Sequence, residues 1–124
     1  MAVVNRCAVA VTPKPPMREW SRRVGGGPEL AGLAEEQSLY LIPPYDDGEA
    51  GQALLRGLFA PIFAAELDLW CGNRELWPAP LTFELFEQWF SLELFPLVTD
   101  LGASPLSLWE TGVDFRQQVR DALA

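Results

Sequence analysis

Apolar positions along the chain follow two periods, and each marks a different kind of element. From Val3 to Thr12 they run almost without interruption until Thr12-Pro13-Lys14-Pro15-Pro16, whose prolines have no N–H to give to a ladder. That stretch reads as a central strand. Pro16 suits the first turn of a helix, and Met17, Trp20 and Val24 recur at i, i+3 and i+7 while Arg18 and Arg22 fall elsewhere. A short helix is therefore predicted, stopped by Gly25-Gly26-Gly27-Pro28. After an Ala/Leu/Glu stretch with room for a turn of helix, Ser38 to Pro43 reads as a second strand ended by Pro43-Pro44. Strand, helix, strand suggests a crossover unit, right-handed if the two strands pair in parallel.

Helical spacing dominates the rest. Asp46-Asp47-Gly48-Glu49 carries a helix-start signature, with Asp46 as cap and Glu49 reaching back toward its N–H. The helix is predicted from about Asp47 to Trp70, with Leu54, Leu58 and Ile62 inward beside Phe59 and Phe63. Pro61 inside it costs about 3 kcal/mol, so a kink or a break is expected there. Cys71 to Leu81 reads as a loop. Thr82 then caps a second long helix, on which Phe83, Phe86 and Phe90, flanked by Trp89, oppose Glu84, Glu87, Gln88 and Ser91, with Gly102 marking its end. Ser104 to Glu110 is a candidate edge strand, and Asp114 with Gln117 would cap a last helix packing Phe115, Val119 and Ala122. Together these elements predict an α+β fold in one two-layer domain over residues 1–124. A small mixed sheet of two or three strands is covered by helices, and an N-terminal β-α-β unit precedes two long helices.

Composition makes the expected core ring-rich. Five Trp, seven Phe and two Tyr stand among 124 residues, and each buried ring contributes roughly 4 to 6 kcal/mol before entropy. The net charge of −8 is unevenly placed. Residues 1–27 hold five basic side chains against Glu19 alone, while the remainder holds four against sixteen acids. Such a surface repels phosphate backbones, so nucleic acid is not an expected partner and the acidity serves solubility. Cys7 and Cys71 have no metal spacing and form no disulfide framework. No stretch approaches the ~20 apolar residues of a membrane span, so a cytoplasmic protein is expected, with monomer and homodimer both open.

Catalytic currency is scarce. The chain contains no histidine, no G-x-S-x-G elbow and no Ser-x-x-Lys pattern, and the glycine run at 25–27 lacks the Lys-Ser/Thr pair of a phosphate loop. Enzyme activity is not expected, nor any cofactor or metal. Glu66 and Glu93, one per long predicted helix, are the best carboxylate pair, since antiparallel helices could bring them together beneath Trp70 and Trp77. Tyr45, Trp70 and Trp77 could line a pocket or a partner surface with Arg74 at its rim. Trp77, in a Pro-flanked loop rather than on a periodic face, is expected to be more exposed than Trp20 or Trp89.

Asn5-Arg6, Pro13-Lys14-Pro15 with Trp20, Tyr40-Leu41-Ile42-Pro43 with Tyr45-Asp46-Asp47 and Glu49-Ala50, Glu66-Leu67 with Trp70, Trp77-Pro78, and Phe86, Trp89-Phe90, Glu93 and Asp100-Leu101 resemble, in order and spacing, a group of small acidic bacterial proteins of no assigned activity. The resemblance covers about residues 4–102 and implies a bacterial cytosolic protein, without implying chemistry. It departs after Glu93, where a histidine is expected and this chain has Leu94-Phe95-Pro96. The expected function is a non-catalytic protein-interaction or regulatory module that meets a protein partner through an acidic surface with aromatic anchors. The alternative is a small-molecule-binding protein or enzyme using Glu66 and Glu93 beside an aromatic pocket.

Overall fold

The computed structural model describes residues 2–25 and 36–107. Strand β1 (Ala2–Val3) precedes β2 (Cys7–Pro13), helix α1 (Pro15–Val24), β3 (Ser38–Ile42) and the long helix α2 (Gly48–Asp68). A 3-10 turn (Arg74–Leu76), helix α3 (Phe83–Trp89), β4 (Phe90–Phe95) and β5 (Thr99–Asp100) follow. β2 is the centre of a three-stranded sheet, order β3-β2-β4, and β1 pairs with β5 in a second, two-stranded sheet. Helices and sheets make a small two-layer α+β architecture.

The nearly continuous apolar run of the first strand fits its central place: Cys7, Val9 and Val11 face the helices, while Ala8 and Ala10 on the other face are also buried. Pairing is antiparallel throughout, not mixed. Cys7 sits opposite Ile42 and Val11 opposite Ser38, so the chain leaves β2 and re-enters β3 at the same end of the sheet. α1 is thus an excursion from that end, and the expected crossover does not form.

The largest correction concerns the second long helix. It stops at Trp89, and the third strand is β4, not Ser104 to Glu110, whose first four residues lie in no strand. Phe90 ends one period and begins another. Phe83, Phe86 and Phe90 are buried at helical spacing, and then Phe90, Leu92 and Leu94 turn inward on a period of two, with Ser91, Glu93 and Phe95 outward. Extending the chain lets six residues of β4 pair with Ala8 to Pro13 and keeps Pro96 out of a helix interior. Residues 108–110 of the expected edge strand, the last helix from Asp114 and most of the Ala/Leu/Glu stretch lie outside the described residues.

α2 runs as one helix through Pro61, so the expected break does not form there. Pro61 and Gly57 are both exposed, so the carbonyl that proline deprives of its partner faces water. Asp47, not Asp46, caps this helix: its carboxylate accepts from the Ala50 N–H at 2.8 Å. Leu55 is fully buried, together with Ile62, Phe63, Glu66 and Leu67, and the expected Leu54, Leu58 and Phe59 pack half-buried against the same core. Phe63 and Phe86 join the core's rings: the Phe63 centroid lies 5.4 Å from Phe86, 5.7 Å from Phe90 and 5.9 Å from Trp89, and Phe86 also meets Phe59 and Phe83. Thr82 caps α3 as expected, accepting from the Leu85 N–H at 3.1 Å.

Two polar clamps tie α1 to the second half. Lys14 donates its backbone N–H to the Trp89 carbonyl and its ammonium to the Glu87 carbonyl, each at 2.8 Å. The Trp20 indole donates to the Leu76 carbonyl, also at 2.8 Å. Close backbone approach needs glycine at two points. A Cβ on Gly25 would lie 2.8 Å from the Trp70 ring, and one on Gly51 would lie 2.9 Å from Leu94 Cδ1.

Candidate functional site

Glu66 projects from the C-terminal half of α2 into the interior, where only 4 % of it is exposed. The Tyr40 hydroxyl, on the inward face of β3, donates to Glu66 Oε2, and the Ser38 hydroxyl bonds the same carboxylate. Loss of water raises the carboxyl's proton affinity above the ordinary glutamate value, and the Tyr40 and Ser38 hydrogen bonds offset that only in part. Tyr40 is shifted the same way, first by burial and then by the neighbouring carboxylate, so its hydroxyl keeps the proton it donates to Glu66. Among the described residues, no cation contributes to the balance at Glu66.

Glu93 lies on the other side of the sheet. It is exposed on β4, opposite Ala10, while Tyr40 lies opposite Val9 on the helix-facing side. The sheet therefore separates the two carboxyl groups that were expected to converge, because the segment carrying Glu93 is a strand. Tyr45 is also remote from Glu66: its ring packs at Gly51, fifteen residues earlier on α2, or about 22 Å along the axis.

Arg74 and Trp77 do come together beyond the far end of α2, while half-buried Trp70 abuts Gly25. The Trp77 indole N–H donates to the Cys71 carbonyl at 2.7 Å, and the Arg74 guanidinium stands 5.2 Å from the Trp77 ring centroid. Trp77 is less buried than Trp20, whereas Trp89 falls in the same half-buried class. With its only polar atom engaged and its ring against the core, Trp77 braces the loop. Among the described residues, no three His, Cys, Asp or Glu side chains gather so as to hold a metal ion.

The residues that sequence reasoning missed form the outward face of the three-stranded sheet. In register, Ala8 lies between Leu41 and Phe95, and Ala10 between Leu39 and Glu93. The two alanines are buried, while Leu39 is 63 % exposed, Leu41 51 % and Phe95 37 %. A trough of small side chains thus runs between the Leu39 and Leu41 ridge of β3 and Glu93 with Phe95 on β4. β3 is apolar on both faces, so alternation could not mark Leu39 and Leu41 as outward, and Phe95 was assigned to a helix. The chain matches no protein-family model, no curated protein and no solved structure.

Proposed function

We propose that the chain is a non-catalytic protein-interaction domain of the bacterial cytoplasm that offers the outward sheet face to a protein partner. The observation that supports this is the cluster of Leu39, Leu41 and Phe95, large and exposed, around buried Ala8 and Ala10. Single exposed leucines are ordinary, but several on one rigid sheet face form a contiguous patch of the kind proteins use for contact. The acidic remainder of the surface keeps that patch from unselective association. The cytoplasmic setting is supported by the free thiols of Cys7 and Cys71 and by the absence, among the described residues, of a helix long and apolar enough to cross a membrane.

The contact point differs from the Trp77 loop that composition suggested, because Trp77 is held from within. The test is site-specific photo-crosslinking in the native host. A photoreactive residue at Leu41 should yield a discrete protein adduct, and one at exposed Ala53 of α2 should not. Equal labelling from both positions, or none from Leu41, would remove the proposal.

A further inference from the structure

Building on that reading of the sheet face, we infer that its occupant is a second copy of this chain, packed face to face about a two-fold axis so that Arg6 of each copy meets Glu93 of the other. Within the strands, the outward positions are Ala8, Ala10, Thr12, Leu39, Leu41, Ser91, Glu93 and Phe95, and Glu93 is the only charge among them. Arg6 precedes the strand by one residue, two ahead of Ala8, and is exposed at the end of the face remote from Thr12. Its recorded hydrogen bond is to the neighbouring Asn5 carbonyl, which leaves most of its donors to solvent.

The geometry is self-complementary. Place a two-fold axis between the two sheets, perpendicular to the strands and level with Ala8. Each β2 then lies across the other in the opposite direction, so Arg6 of one copy overlies Ala10 of the second. Glu93 stands beside Ala10, one strand away, or about 4.8 Å laterally. Sheets packed about 10 Å apart place an arginine and a glutamate within reach across that gap, and the symmetry makes the contact twice. The same operation lays β3 over β3 and β4 over β4, so Leu41 of one copy meets Leu41 of the other and Phe95 meets Phe95, with the two alanine troughs facing each other between them.

Size decides how strong the association can be. The outer strand axes are about 10 Å apart and the stretch from Arg6 to Thr12 runs about 20 Å, so the face offers a few hundred Å² against about 800 Å² per partner in a standard interface. A weak, reversible equilibrium is expected, not an obligate dimer.

Sedimentation equilibrium of the full chain tests this. Wild type should shift from monomer to dimer with concentration. Leu41→Glu should weaken association by roughly a hundredfold or more, and Glu93→Arg by roughly tenfold. The double variant Arg6→Glu with Glu93→Arg should restore the wild-type equilibrium, an outcome that unspecific apolar adhesion would not give. All three positions are exposed, and thermal melts followed by circular dichroism confirm that each variant folds. A wild type that stays monomeric to millimolar concentration overturns the inference, as does a dimer indifferent to Leu41→Glu or a double variant that fails to recover. A monomer whose Leu41 position still crosslinks to a different protein overturns the second copy alone and leaves the interaction reading standing. A monomer without any adduct ends both.

Discussion

Glu66→Gln is the most informative single change in the interior. In the fold the carboxyl is nearly sealed from water, with hydroxyl donors and, among the described residues, no cation contributing, and its proton affinity is raised above that of the unfolded chain. The sign follows from linkage. Because the native state holds this proton more firmly, the contribution of Glu66 is most favourable below the unfolded pKa of about 4.3 and declines as pH rises through the folded value. Inside that window one proton separates the two states, a slope of about 1.4 kcal/mol per pH unit, before it levels off above the folded value. With a urea m-value of about 1.5 kcal/mol per M, each pH unit there lowers the midpoint by about 1 M. Glutamine keeps the shape and an oxygen that accepts from Tyr40, and it removes the titration. Urea midpoints measured across pH should therefore fall with rising pH more steeply for wild type than for Glu66→Gln, so that the variant becomes the more stable protein on the alkaline side of the window. In acid the two should agree within about 1 kcal/mol, the scale of one hydrogen bond. Parallel midpoint curves, or a variant less stable than wild type at neutral pH, would show that Glu66 is held ionised by a positive partner and refute the reasoning.

Tyr40→Phe should cost about 1 to 3 kcal/mol by stranding part of a buried carboxyl, and because the Tyr40 hydrogen bond lowers the Glu66 proton affinity, it should move the pH window upward in the same titration. Gly25→Ala should destabilise by about 1 to 3 kcal/mol, since its Cβ meets the Trp70 ring and the Ser21 carbonyl, whereas Gly57→Ala, with open space around it, should stabilise by about 0.8 to 1 kcal/mol; opposite shifts in melting temperature are the check. Asp47→Ala should lose about 1 kcal/mol in chemical denaturation and Asp46→Ala almost nothing, because Asp47 makes the cap. Trp77→Phe should cost about 1 kcal/mol through the lost bond to the Cys71 carbonyl and leave crosslinking from Leu41 unchanged, and a loss of that crosslink would return the contact surface to the loop.

Much of the architecture was legible because it rests on local signals. Prolines closed the first two strands, the face of Met17 and Trp20 set α1, and Thr82 opened α3. What escaped depends on partners distant in sequence. Phe83, Phe86 and Phe90 fit a helix whether or not it continues, and only pairing with β2 makes extension beyond Phe90 the better choice. Glu93 was misplaced with that segment, and the expected carboxylate pair went with it. Glu66 was singled out as half of a carboxylate pair, but the companions it has, Tyr40 and Ser38, come from a strand that no spacing rule links to α2. The outward sheet face was invisible for a similar reason. Alternation reveals an open face only when that face is polar, and here both sides of β3 are apolar.

The join between α3 and β4 has no loop in it, since Trp89 ends the helix and Phe90 begins the strand. One residue gained or lost inside Thr82–Phe95 would turn the helix by about 100° and invert every strand side chain beyond the change, driving Ser91 and Glu93 inward and Leu92 and Leu94 outward. Chain length is therefore fixed in this part of the molecule, and natural insertions and deletions should collect between Cys71 and Leu81, where the connection can lengthen without rephasing anything.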